Sequence, residues 1–127
     1  MRKFIFIIVI VALGCHSANS DRQASTSVQG KWNNTLLVRG KPSVFIATFR
    51  PDGTYMGSLD GKVLVDGGSY KEHGDTIDFR DPVCNAGYTG QYHVRHYGDS
   101  IKFIVIEDSC TLRRQGTDGI GFKRLAP

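Results

Sequence analysis

Histidine and cysteine are scarce in this chain of 127 residues, four of one and three of the other, and no C-x-x-C pair or clustered metal-ligand spacing occurs. That pattern argues against a zinc site or a reactive cysteine pair. A glycine-rich phosphate loop and a nucleophile elbow are also missing, and with so few histidines no Ser-His-Asp site assembles from the sequence. The reading is of a protein that is no enzyme and carries no cofactor or metal. No amphipathic helical pattern of useful length appears, and apolar residues fall instead in short alternating runs of β type. No block of like charge occurs either: the 16 basic and 12 acidic residues are interspersed. The basic balance is therefore no argument for nucleic acid.

What is present begins with an address. Arg2 and Lys3 precede an apolar run of ten, residues 4–13, well short of the roughly 20 residues that cross a bilayer; this is the pattern of a secretory signal. The run ends at Ala12-Leu13-Gly14-Cys15, which resembles the lipobox of bacterial lipoproteins. The resemblance implies removal of residues 1–14, a lipid on Cys15, and a membrane-anchored protein facing the periplasm or cell exterior. Without Arg2 and Lys3 there are 14 basic residues against 12 acidic, so the net charge falls from +4 to +2. Residues 16–29 are polar and aperiodic and read as a tether with a reach of about 45 Å when extended. Cys84 and Cys110 remain as an even pair in an oxidising compartment and are expected to form a disulfide. Closing that loop contributes about 3.5 kcal/mol by chain entropy.

From Gly30 to Pro127 the chain reads as one all-β domain. Eight strands are expected, at residues 31–38, 44–50, 54–59, 62–72, 76–80, 91–97, 100–107 and 120–125. Pro51-Asp52-Gly53, His73-Gly74-Asp75 and Tyr97-Gly98-Asp99 supply tight turns, so consecutive strands are antiparallel neighbours in an up-and-down sheet. Gly67-Gly68 marks a bulge or bend of the kind that curls a sheet into a barrel. One phrase occurs twice, Gly68 to Cys84 and Gly90 to Cys110, each with Gly, Tyr, a Gly-Asp turn, Ile, an aromatic, an acid and Cys. A meander of hairpins makes such a phrase recur. Tracing it puts the tight turns at one end, and the connections 39–43, 81–90 and 108–119 at the other. Both cysteines fall on that second rim, about 10 Å apart by strand spacing. Ile104 and Ile106 interrupt the polar face of their strand, so a cover is expected there from residues 111–116.

Gly30-Lys31-Trp32, the phrase from Phe49 to Tyr55 (F-x-x-D-G-T-Y) and the phrase from Gly68 to Asp75 (G-x-Y-x-x-x-G-D) resemble the lipocalin and wider calycin barrels, in particular small lipocalin-like bacterial lipoproteins. The resemblance implies a closed barrel of about eight strands with a late basic side chain, Arg124, stacked on Trp32 at the closed end. Trp32, Phe79, Tyr92, Phe103 and Phe122 are expected to point inward. The candidate rim for a ligand or partner comprises Lys41, Asn85, Tyr88, Tyr92, Arg113 and Arg114, with the two arginines either receiving an acidic group or pairing locally with Glu107, Asp108 and Asp118. His93 and His96, three apart on a strand, face opposite sides and do not chelate together. The function this supports is capture, by a monomer, of a small apolar or amphipathic molecule at the disulfide-bridged mouth. The alternatives are a periplasmic inhibitor whose rim loops block a hydrolase, and third a cyclase-type barrel enzyme. An interior void above about 300 Å³ favours the ligand; a filled interior with an apolar rim favours the inhibitor.

Overall fold

The computed structural model describes residues 26–85 and 87–126. The expected signal segment and Cys15 lie outside the described residues. Eight strands run in order: β1 (Gly30–Val38), β2 (Lys41–Phe49), β3 (Thr54–Leu59), β4 (Lys62–His73), β5 (Thr76–Arg80), β6 (Gly90–Tyr97), β7 (Ser100–Glu107) and β8 (Gly121–Arg124). They close into a barrel in which each strand pairs antiparallel with the next and β8 returns to β1. The architecture is the one the lipocalin resemblance implies.

Alternation fixes what faces inward. Ile77 and Phe79 on β5, Tyr92 and Val94 on β6, and Ile101 and Phe103 on β7 are buried, with Trp32, Phe49, Tyr55 and Phe122 from the other strands. Their rings interlock, Phe79 to Phe103 at 5.5 Å and Phe103 to Phe122 at 5.7 Å between centroids. The β3–β4 ladder shifts register between Tyr55 and Ser58, and Gly67 has a φ of 73°, so the expected bend is a bulge at this point.

Two connections differ from expectation. β2 starts at Lys41, not residue 44, so the first connection is the two-residue turn Arg39-Gly40. Both residues have positive φ, 51° and 76°, the hairpin geometry that follows strand twist; Arg39 carries no sequence sign of it. Residues 111–116 belong to a helix, α1 (Thr111–Thr117), which is too short to show a period or to stand alone. Ile104 is half-buried but Ile106 stays exposed, and α1, which contacts β7, turns Leu112, Arg113, Gly116 and Thr117 toward the mouth.

The opposite end is sealed. Arg124 pairs in register with Trp32, and its guanidinium carbon lies 4.1 Å from the indole centroid. The same guanidinium donates to the carbonyls of Ser27 and Gln29 at 3.0 and 2.8 Å. Val28 is fully buried and its carbonyl accepts the Trp32 indole N–H at 2.7 Å, so the packed domain starts at Ser27, within the stretch expected to be tether. Gly30 has a φ of 122°, and a side chain there would meet Arg124 Nη1 at 2.9 Å, which gives the Gly-x-Trp phrase its physical reason.

Candidate functional site

The four connections of the other end, β1–β2, β3–β4, β5–β6 and β7–β8, surround an opening. The β5–β6 loop carries Cys84, and Cys110 caps the start of α1; their disulfide, with Cα atoms 5.8 Å apart, ties loop to helix. Below them lies a cavity of about 350 Å³ that opens at this rim. Its walls are Phe45, Ala47 and Phe49 of β2, Tyr55 and Gly57 of β3, Phe79, Phe103 and Phe122. Leu64, Val65, Leu112, Gly116 and Thr117 line its outer part. An eight-stranded barrel is only just wide enough to be filled by its own side chains or to hold one small ligand; the small Ala47 leaves space open, whereas the Phe45 ring lies over Gly57, where a side chain would meet it at 2.7 Å. Ala47 faces inward and is buried.

One side of this apolar space is ionic. Arg113 of α1 and Asp81 at the end of β5 both line the cavity and are almost completely buried. Arg113 donates to both oxygens of Asp108, Nε to Oδ2 at 2.8 Å and Nη2 to Oδ1 at 2.9 Å, and Nη2 also donates to the Tyr88 carbonyl at 3.0 Å. Its Nη1 lies 3.4 Å from Asp81 Oδ2, too long and poorly aligned for a hydrogen bond, and it has no hydrogen-bond partner among the described residues. A buried donor left in that state costs about 1–3 kcal/mol.

The two carboxylates are held in parallel ways. Tyr55 donates its hydroxyl to Asp81 Oδ2, and Tyr92 donates to Asp108 Oδ2 at 2.5 Å. Asp81 Oδ1 accepts the Val83 N–H at 3.0 Å and Asp108 Oδ1 accepts the Cys110 N–H at 2.9 Å, the local turn that aspartate forms two residues ahead. Burial alone would raise the Asp108 carboxyl, but the hydrogen bonds from Arg113, Tyr92 and Cys110 and the guanidinium charge outweigh it and hold it below the usual range. Burial first, then the hydrogen bond to Asp81 and its charge, push the Tyr55 hydroxyl far above its ordinary value. Burial and Asp108 do the same to Tyr92. Gly90 is required beside this network, because a side chain there would fall 2.7 Å from Asp108 Cγ and 2.9 Å from Arg113 Nε.

Of the six candidate rim residues only Arg113 lines the cavity. It is not a solvated rim charge, because two carboxylates and a carbonyl enclose it; its partners are Asp81 and Asp108, with Glu107 and Asp118 uninvolved. Lys41 and Arg114 are exposed. Asn85 is exposed, and its side chain accepts the Gly87 N–H at 2.9 Å. Tyr88 is half exposed and contributes its carbonyl; Tyr92 is fully buried core and not part of the lining. Sequence reasoning missed Phe45, Ala47, Phe49, Tyr55 and Asp81 as lining. A signal for the aspartates was present, since each copy of the repeated phrase places an acid just before its cysteine, Asp81 before Cys84 and Asp108 before Cys110.

The arrangement offers an apolar space beside a buried ionic cluster in which Arg113 Nη1 is ion-paired but lacks a hydrogen bond among the described residues. No family model, no curated protein and no solved structure matches this chain.

Proposed function

We propose that this protein is an exported, lipid-anchored binding protein that performs no catalysis and holds one small apolar or amphipathic molecule in the open half of its barrel. The cavity carries this reading. Its volume of about 350 Å³ lies at the lower end of the roughly 300–1,000 Å³ of ligand sites, and it persists in a barrel small enough to fill itself. The anchor would be Cys15. Residues 27–29 pack at the closed end, so an anchor preceding them leaves the mouth facing away from the bilayer.

The test is fluorescence of the neutral apolar dye N-phenylnaphthylamine. Wild-type protein is expected to enhance its emission saturably with one site. Ala47→Leu places three carbons into the cavity and is expected to weaken binding by about tenfold or more, about 1.4 kcal/mol, with the melting temperature retained. Equal binding by both proteins would place the dye elsewhere and remove the reading.

A second reading has its own observation. Leu37 at 76% exposure, Val63 at 49% and Leu112 at 65% sit at the mouth end on the β1–β2 hairpin, the β3–β4 hairpin and α1. Such an apolar rim suits a protein partner, for instance a periplasmic hydrolase whose cleft receives it. Changing Leu37 and Val63 to Ser would then abolish inhibition of that hydrolase while dye binding persists.

A further inference from the structure

The reading above leaves open which chemical class of molecule the cavity takes, and the ionic cluster decides it. Three formal charges meet there, Asp81, Asp108 and Arg113, with a sum of −1. Asp108 takes Nε and Nη2 of Arg113 and does not line the cavity. Nη1 is the guanidinium nitrogen nearest Asp81, and Asp81 and Tyr55 do line it. Nη1, which makes no hydrogen bond among the described residues, thus lies on the Asp81 side of the cluster, toward the cavity, with almost no accessible surface, so a ligand oxygen reaches it as the side chains around it shift. A hydroxyl, ester or ketone oxygen placed there completes the guanidinium without adding charge. A carboxylate would be a third anion around one buried cation, in surroundings where low dielectric makes repulsion strong. An ammonium group would meet the guanidinium itself, and the Tyr55 hydroxyl already occupies Asp81 Oδ2.

Resting on the cavity as the binding site, we infer that the ligand is an uncharged amphipathic molecule, an apolar chain or ring ending in a hydroxyl or carbonyl oxygen that accepts from Arg113 Nη1, and not a fatty-acid anion. The notion of Arg113 as receiver of an acidic group is thereby reversed: its charge is already spent within the protein.

The experiment is displacement of N-phenylnaphthylamine from wild-type protein at neutral pH by decanol, methyl decanoate, decanoate and decylamine. The alcohol and ester are expected to displace at concentrations about tenfold below those of the acid and the amine, about 1.4 kcal/mol. In Asp81→Asn the cluster becomes neutral, and the gap between ester and acid is expected to narrow by a similar factor because the acid gains. Infrared spectroscopy of carbonyl-labelled methyl decanoate bound to wild-type protein supplies a readout that needs no variant: the stretch should fall to the frequency of a hydrogen-bonded ester. Decanoate or decylamine displacing as readily as the ester, or a bound ester absorbing as it does in hydrocarbon, overturns the assignment of the polar group while the cavity reading stands. Failure of wild-type protein to bind the dye or any of the four overturns both.

Discussion

Arg113 and Arg114 are adjacent and alike in sequence, and the fold gives them opposite roles. Arg114 is exposed on α1, so Arg114→Ala is expected to change stability by no more than about 0.5 kcal/mol. Arg113→Ala strips Asp108 and Asp81 of the one buried cation beside them among the described residues, and breaking such a pair costs about 3–5 kcal/mol; urea unfolding of the two variants checks the contrast. The same cluster sets the pH limits. Asp108 has a lowered pKa when folded, so its stabilisation is complete above the unfolded value of about 4 and is lost as pH falls through the lower folded value. Tyr55 and Tyr92 have raised pKa values, so their stabilisation is complete below about pH 10 and is lost as pH rises above it. Phenolate absorbance should accordingly leave both tyrosines protonated until the protein unfolds in alkali. Ionisation of all five tyrosines while the fold persists would contradict the network.

At the scale of elements, most of the barrel was legible because its signals are local. β3, β5 and β7 have the expected bounds, since each is a short β-type run that starts from a Gly-Asp or Asp-Gly turn. α1 was not legible: Thr-Leu-Arg-Arg-Gln-Gly-Thr has no apolar stripe, and what borders and holds it, the disulfide before it and the Arg113–Asp108 pair, forms only in the folded barrel. The ionic site was hidden for a related reason. Arg113, Asp81, Asp108 and Tyr55 come from α1, the end of β5, the segment after β7, and β3, and only barrel closure brings them together. The disulfide was legible from the rim that its cysteines share, 26 residues apart. Changing Cys84 and Cys110 to Ser is expected to cost about 3.5 kcal/mol. Hydrogen exchange should then show where the loss falls first. Amides of α1 are expected to lose protection well before those of β5 to β7, because the strands keep their ladders while the helix keeps only Arg113, its packing on β7 and the hydrogen bond that the Val105 N–H donates to Asp118. Equal protection of helix and strands in that variant would mean the disulfide does not hold the helix.

The molecule as a whole has two unlike ends. One is sealed by Trp32, Val28 and Arg124 and receives the chain from its N-terminal side. The other carries the cavity, the ionic cluster and the exposed leucines of two hairpins and α1. Between Cys15 and Thr26 the chain spans at most about 40 Å, so the proposed anchor at Cys15 would hold the molecule by its sealed end. The open end would then point into the aqueous space, where a dissolved ligand or a partner reaches it without passing the bilayer. On the proposed function ligand would enter by that opening, and obstruction of it would appear in the association rate. A hexahistidine segment placed before Thr26 and held on nickel-chelating vesicles is therefore expected to leave the association rate of N-phenylnaphthylamine, mixed in with vesicles to which no protein is attached as the blank, equal to that of free protein. The same segment inserted in the mouth-end turn at Asp60-Gly61 turns the opening toward the lipid and is expected to slow it. Equal rates for both attachments would show that orientation does not control access, and a slower rate for the N-terminal attachment would place the mouth against the membrane.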